Sequence, residues 1–242
     1  YRNGGAEITV IEKNERPARK LMITGKGRCN VCNNCDIDTL IANVPENGRF
    51  LYSAFSGFAP QDTMTFFESL GVSLKTERGN RVFPVSDKAS DIVDALVKAA
   101  KRGGAEIIQG TAKKILTENG AVSGVLLENG EALPADSVIL ATGGMSYPLT
   151  GSTGDGYKIA RALGHTITEI KPSLVALNAH EGFCERLAGL SLKNVALSVF
   201  EESRKKPVFS ELGEILFTHF GISGPLVLSA SAHMRYIGKK QY

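Results

Sequence analysis

The chain has 242 residues, 43% hydrophobic and 22% charged, which is enough to bury one large core or two modest ones and excludes a disordered or fibrous protein. Its net charge of +3, densest at Arg204-Lys205-Lys206, lacks the basic face of a nucleic-acid binder, so no nucleic-acid partner is expected. No apolar run nears the ~18 residues of a membrane span, and neither a secretory leader nor a disulfide framework is visible, so a cytoplasmic protein without a membrane partner is predicted.

In chain order, residues 1–5 read as the tail of a helix, and the first residue, Tyr1, predicts a gene start further upstream. Residues 7–12 are apolar and β-branched, which predicts a buried strand ending at Glu12. Residues 17–34 form a loop carrying Gly25 and Gly27 among basic and amide side chains. Helical spacing over residues 61–70 (Met64, Phe67, Leu70) and over residues 86 or 90 to 102 (Ile92, Val93, Leu96, Val97, Ala100) predicts two amphipathic helices. A β-meander is predicted from strands over 107–117, 121–127 and 131–133, joined by Asn119-Gly120 and Asn129-Gly130. Residues 137–142 read as another buried strand, delivering Gly143-Gly144. The glycine-rich run 151–156 opens a helix over 157–163, with Asp155 as its N-cap. Beyond Lys171-Pro172 the texture shifts to short strands at 194–200 and 215–218, then a helix from Gly224 with Pro225 in its first turn. The domains are therefore expected at 1–170 and 171–242.

Strands, helices and a meander in this order suggest an α/β dinucleotide-binding sheet, in which the acid closing the second strand holds a ribose. Glu12 suits that role. The glycine turn that normally precedes such an acid by about 20 residues has no room before Glu12, so either the fold differs or that turn lies outside this chain. In the loop, Gly25 and Gly27 allow close backbone approach, and Lys20, Lys26 and Arg28 offer charge to a phosphate or an anionic ring. Cys29-Asn-Val-Cys32-Asn-Asn-Cys35 raises a competing reading, an iron–sulfur or zinc module, although the fourth cysteine and proline of the ferredoxin run are missing. The histidines carry no pattern. His165 suits a helix end, and His219 could face a substrate.

Four motifs carry a resemblance across essentially the whole chain. They are Lys20-Leu-Met-Ile-Thr-Gly-Lys-Gly-Arg-Cys-Asn30, Ala141-Thr-Gly-Gly-Met-Ser-Tyr-Pro148, Gly151-Ser-Thr-Gly-Asp-Gly-Tyr157 and Phe217-Thr-His-Phe-Gly-Ile-Ser-Gly-Pro225. In this order they resemble the bacterial BaiN-like, or aminoacetone-oxidase-like, NAD(P)/FAD-dependent oxidoreductases. The resemblance implies a Rossmann-like FAD-binding domain, incomplete here and carrying the β-meander, plus part of an inserted β-rich domain. It implies hydride transfer between FAD and a small organic substrate, with NAD(P)H as partner. By position, Glu12 would hold the adenosine ribose. Arg19, Lys20, Thr24, Gly25, Gly27, Arg28, Cys29 and Asn30 would line the flavin side, while Thr142, Gly143, Gly144, Gly154, Asp155 and Gly156 would approach it from the next strand. The chain departs from the family in lacking the first glycine fingerprint and the returning C-terminal segment, and in having Cys32 where threonine is usual. FAD is accordingly expected in the intact protein and not in this chain alone, whose open sheet edge predicts self-association. No residue is assigned as a catalytic acid or base.

Overall fold

The computed structural model describes residues 5–202, 204–234, 236, 237, 239 and 242, so most of the helix tail expected at the N-terminus lies outside the described residues. The chain divides into two compact units, residues 1–167 and 168–242.

In the first unit, β1 (Thr9–Glu12) leads through α1 (Arg19–Ile23) to a short β2 (Cys32–Asn33). Three helices follow: α2 (Ile37–Ala42), α3 (Tyr52–Gly57) and α4 (Pro60–Ser69). Next come β3 (Leu74–Glu77), β4 (Arg81–Pro84), the long α5 (Ala89–Arg102) and β5 (Glu106–Gln109). A meander of β6 (Ala112–Glu118), β7 (Ala121–Leu127) and β8 (Ala132–Pro134) precedes α6 (Asp155–Ala162).

β1 pairs in parallel with β5, register Thr9 to Glu106. The crossover between them holds the antiparallel sheet β2-β4-β3 and the helices, and the meander β6-β7-β8 follows it. The reading of residues 107–117 as a single strand is corrected. Its first part joins β1, and its second joins the meander. Gly110 makes the switch, donating its N–H to the Glu12 carbonyl at 2.9 Å, and a Cβ there would stand 3.1 Å from Leu127. β1 is also less buried than expected, with Val10 39% exposed. A pair of strands has no described neighbour on either outer edge.

The helices follow their apolar spacing. α5 buries Ile92, Val93 and Ala95, and α4 buries Phe67. Pro60 starts α4, and the Asp62 carboxylate accepts the Ala59 N–H at 2.7 Å, which stops the first turn from fraying. The core joins Cys29, Phe67, Ala89 and Ile92, with Leu21, Met22 and Leu96 packed against them. Val82 and Phe83 of β4 are 0% and 1% exposed. α2, α3 and the hairpin β3–β4 were not anticipated, although Asp36 signals the start of α2 by accepting the Thr39 N–H at 2.7 Å.

Residues 137–142 do not form the expected strand. They have no ladder partner among the described residues, and Ile139 is 93% exposed. A ladder needs a neighbour, and the last meander bond is Ala135 N–H to the Ser123 carbonyl at 3.2 Å. Asp155 is likewise not the cap of α6. Gly154 caps it in a left-handed conformation (φ 80°), with Asp155 in the first turn.

The second unit orders its sheet β10-β11-β12-β9. The elements are β9 (Leu177–Asn178), α7 (Phe183–Arg186), β10 (Ser191–Val199), β11 (Phe209–Thr218), β12 (Gly221–Ser223) and α8 (Pro225–Ser231). The antiparallel pair β10–β11 buries Val199 and Phe209 against Leu226 and Ala230 of α8. The strands expected at 194–200 and 215–218 are parts of these two longer ones, and Pro225 opens α8 as predicted. No helix among the described residues is long and apolar enough to cross a membrane.

Candidate functional site

The site is built at the carboxyl end of β1, where an open parallel sheet presents its loops to ligands. Glu12 closes that strand. Its Oε1 accepts two hydrogen bonds from Asn14, one from the backbone N–H at 2.8 Å and one from Nδ2 at 2.7 Å. The carboxylate is thus oriented while Oε2 has no partner among the described residues. That suits an acceptor for a diol.

Two long-range contacts carry the loop after β1 onto the glycine-rich segment. Asn14 Nδ2 reaches the Thr150 carbonyl at 3.2 Å, and Lys13 Nζ reaches Thr153 Oγ1 and Asp155 Oδ2, each at 2.6 Å. The Asp155 carboxyl is held well below the usual range, at about 2, chiefly by the Lys13 hydrogen bond and then by Thr153. Its folded pKa is depressed, so the associated stability is present above about pH 4 and disappears as pH falls toward 2. For a carboxylate side chain 25% exposed this is worth about 1–2 kcal/mol after allowance for solvent screening. Asp155→Asn is therefore expected to lose that much in urea unfolding at pH 7 and far less near pH 2.5. An equal loss at both pH values would exclude this account.

The predicted flavin-side loop has an unusual backbone. Gly25, Lys26 and Gly27 are successively left-handed (φ 56°, 60° and 84°), and Cys29 follows at 62°. Thr24 anchors the turn, donating its hydroxyl to the Leu21 carbonyl at 2.9 Å and accepting the Cys29 N–H at 3.1 Å. Lys26 is exposed and has no carboxylate partner among the described residues. Arg19 makes one long contact, to Asn14 Oδ1 at 3.5 Å, and Asn30 is exposed.

Arg28 points elsewhere. Its Nη1 lies 2.9 and 3.1 Å from the two oxygens of Glu77 and 3.3 Å from Asp87, with the guanidinium 4.0 Å over the Phe83 ring. Lys75 completes the group, 2.7 Å from Asp87 and 3.5 Å from Glu77. The pKa of Arg28 is raised first by the Glu77 hydrogen bond. Two cations and two anions neutralise one another, so the arginine pins the loop to β3–β4. The charge it was expected to offer to a ring is already matched.

Lys20 brings the two predicted segments together. Its Nζ donates to the Ser146 carbonyl at 3.1 Å and to Ser146 Oγ at 2.9 Å, and lies 4.3 Å from the Tyr147 ring centre. Thr142, the last of residues 137–142, and Gly143 after it are exposed, and the Gly154 N–H donates to the Gly144 carbonyl at 3.1 Å. A Cβ on Gly156 would collide with Thr142 Oγ1, so these glycines seat the two strands of the loop against each other. Lys13 and Asn14 stand outside the site read from the sequence, and Ser146 and Tyr147 belong to the motif over residues 141–148 without an assigned role there. Their one signal was position, just after Glu12 and just after the glycine pair.

Cys29 is 1% exposed in the core, Cys32 and Cys35 are half-buried, and burial raises the pKa of all three thiols. Among the described residues no group of three His, Cys, Asp or Glu side chains is placed to hold a metal ion. A cavity of about 490 Å³ lined by Leu70, Val72, Val85, Asp91 and Lys98 includes none of the predicted site residues.

The open carboxylate at a strand end, the left-handed basic loop and the glycine pair lie together at the carboxyl end of a parallel strand, where α/β sheets take dinucleotide ligands. The chain belongs to the family of the HI0933-like protein Rossmann domain, which it matches over residues 1–231, a family of FAD-dependent oxidoreductases. It is 32% identical to a 3-dehydro-bile acid delta(4,6)-reductase of Clostridium scindens over 98% of this chain and 57% of that protein. It is also 30% identical to a ribosomal RNA dihydrouridine synthase of Escherichia coli, over 95% of this chain and 55% of that protein. A ribosomal RNA dihydrouridine synthase of Haemophilus influenzae is 28% identical over 94% and 55%. The chain spans about half the length of these curated relatives.

Proposed function

We propose that the complete protein binds FAD and reduces a carbon–carbon double bond conjugated to a carbonyl in a small organic substrate, with NAD(P)H as electron donor. One observation carries the reading. The basic loop and the glycine segment converge at the carboxyl end of β1, beside a Glu12 carboxylate with one oxygen that has no partner among the described residues. These residues fit the group. Glu12 would take the adenosine ribose, the backbone of Thr24, Gly25 and Gly27 would border the ring, and Lys26 would be the cation nearest any negative charge there. Thr142, Gly143, Gly144, Gly154 and Gly156 would form the opposite border. FAD, when bound, supplies two-electron transfer between donor and substrate, so the protein has mainly to position, charge and shield.

The substrate class follows from the relatives' names. A delta(4,6) unsaturation beside an oxidised C3 and the double bond lost in making dihydrouridine are both alkenes conjugated to a carbonyl. A second reading, supported by two of those names and by the exposed turn Arg204-Lys205-Lys206, takes a uracil base of RNA as that alkene.

The test is anaerobic. The complete protein is loaded with FAD, reduced with NADPH or dithionite, and mixed with a 3-oxo-4-ene steroid or with a ribosomal RNA transcript. Reoxidation of the flavin together with a product two hydrogens heavier is expected for the steroid. Turnover of the RNA alone would select the second reading. A protein that takes up no FAD would overturn both.

A further inference from the structure

Tyr147 is bulky, exposed and in a backbone conformation that disfavours it. Its φ is 55° and ψ 68°, in the left-handed region where an aromatic L-residue is an outlier, yet its side chain is 66% exposed and gains little from packing. Strain without burial persists only where the surroundings hold it, and such residues gather at functional sites.

The surroundings here are specific. The Tyr147 carbonyl accepts both the Thr150 N–H at 2.9 Å and the Thr150 hydroxyl at 2.7 Å. Thr150 is tied by its own carbonyl to Asn14, which also orients Glu12. From the other side, Lys20 holds the Ser146 carbonyl and hydroxyl and lies over the Tyr147 ring. Both predicted cofactor segments therefore clamp this one turn. The phenol oxygen accepts and donates no hydrogen bond among the described residues. Tyr157, the other tyrosine near the glycine pair, sets its hydroxyl 3.4 Å from where a Cβ on Gly144 would stand, and so faces the backbone.

We propose that Tyr147 donates the proton that completes alkene reduction, with Lys20 as the residue that positions its ring. The inference rests on the functional reading above. Reduction of a conjugated alkene adds a hydride to the β-carbon, and the π electrons move onto the carbonyl oxygen as an enolate. The α-carbon then takes a proton from the Tyr147 O–H as the enolate electrons return to it. The phenolate left behind is reprotonated by water, which its exposure allows. Two electrons and one hydrogen come from the reduced flavin and the second hydrogen from Tyr147, so the alkene gains two hydrogens in all.

The test uses Tyr147→Phe and Lys20→Met in the complete protein. Tyr147→Phe is expected to keep FAD and its rate of reduction by the donor, while reoxidation by the enone falls about 100-fold or more. Lys20→Met should slow the same half-reaction less. A readout independent of turnover is the melting temperature of the FAD-free protein. Tyr147→Asn, which tolerates the left-handed region, should melt no lower than wild type, since the strain relieved outweighs the loss of one exposed cation–π contact with Lys20. Wild-type reoxidation in Tyr147→Phe would overturn the assignment, and a lower melting point for Tyr147→Asn would overturn the strain argument beneath it. Should the wild type itself fail to reduce the enone, the functional reading fails first, so the two failures are distinguishable.

Discussion

Gly25→Ala is expected to destabilise the fold by about 2–5 kcal/mol and to strip the complete protein of its FAD. Two costs add. An alanine at φ 56° loses about 1–2 kcal/mol to the left-handed backbone. Its Cβ would also stand 2.8 Å from Phe83 Cε1 and 2.9 Å from the Asn30 nitrogen, and overpacking of that kind costs about 1–3 kcal/mol. Neither neighbour yields easily, because one is a core ring and the other is backbone. Gly27→Ala is the control. Its Cβ would meet only the Met22 carbonyl at 3.9 Å, so the backbone cost alone remains. Urea unfolding and the ratio of flavin to protein absorbance measure both effects. If Gly25→Ala unfolded with Gly27→Ala and kept its flavin, the close packing of this loop on β4 would be refuted.

Phe83→Ala should cost about 3–5 kcal/mol, the range for emptying a buried aromatic site. Phe83 is 1% exposed and joins two functions. Its ring supports Gly25 from below and lies under the Arg28 guanidinium at 4.0 Å. Against the 5–15 kcal/mol typical of whole domains, such a loss approaches global unfolding. Phe83→Leu separates the roles, since it restores most of the volume but no aromatic face. It should recover much of the stability and leave the Arg28 loop less ordered in hydrogen exchange. A loss below about 1 kcal/mol for Phe83→Ala would show that the hairpin is not part of the core.

Both predictions concern a hairpin that was not anticipated from the chain. β3–β4 is short, its turn Arg78-Gly79-Asn80 is flanked by charged residues rather than an alternating apolar pattern, and β4 ends in a proline, which argues against a strand interior. The backbone of the candidate site was more legible than the hairpin. Glycines needing positive φ and the acid at a strand end are local facts, and they marked Gly25, Gly27, Gly143, Gly154 and Glu12. Charge was less so. Arg28 read as a free cation because its partners, Glu77 and Asp87, lie 49 and 59 residues away. Lys13 and Tyr147 carry no local sign of their roles, since the partners of Lys13 stand 140 and 142 positions away and Lys20, over the Tyr147 ring, is also remote in the chain.

Sequence alone determined what depends on neighbours in the chain. That covers the amphipathic face of α5, the glycine turns of the meander, the proline that opens α8 and the four motifs that carried the family. Tertiary structure alone decided what depends on distant partners. Gly110 passes the chain from one sheet to another, and residues 137–142 stay without a ladder among the described residues. Arg28 turns to a hairpin, and Lys20 draws Tyr147 onto the loop. Periodicity and backbone preference are set within a few residues, whereas a strand needs a neighbour and a charge needs a counter-charge, and the separation of 126 positions between Lys20 and Ser146 keeps that pairing out of local view.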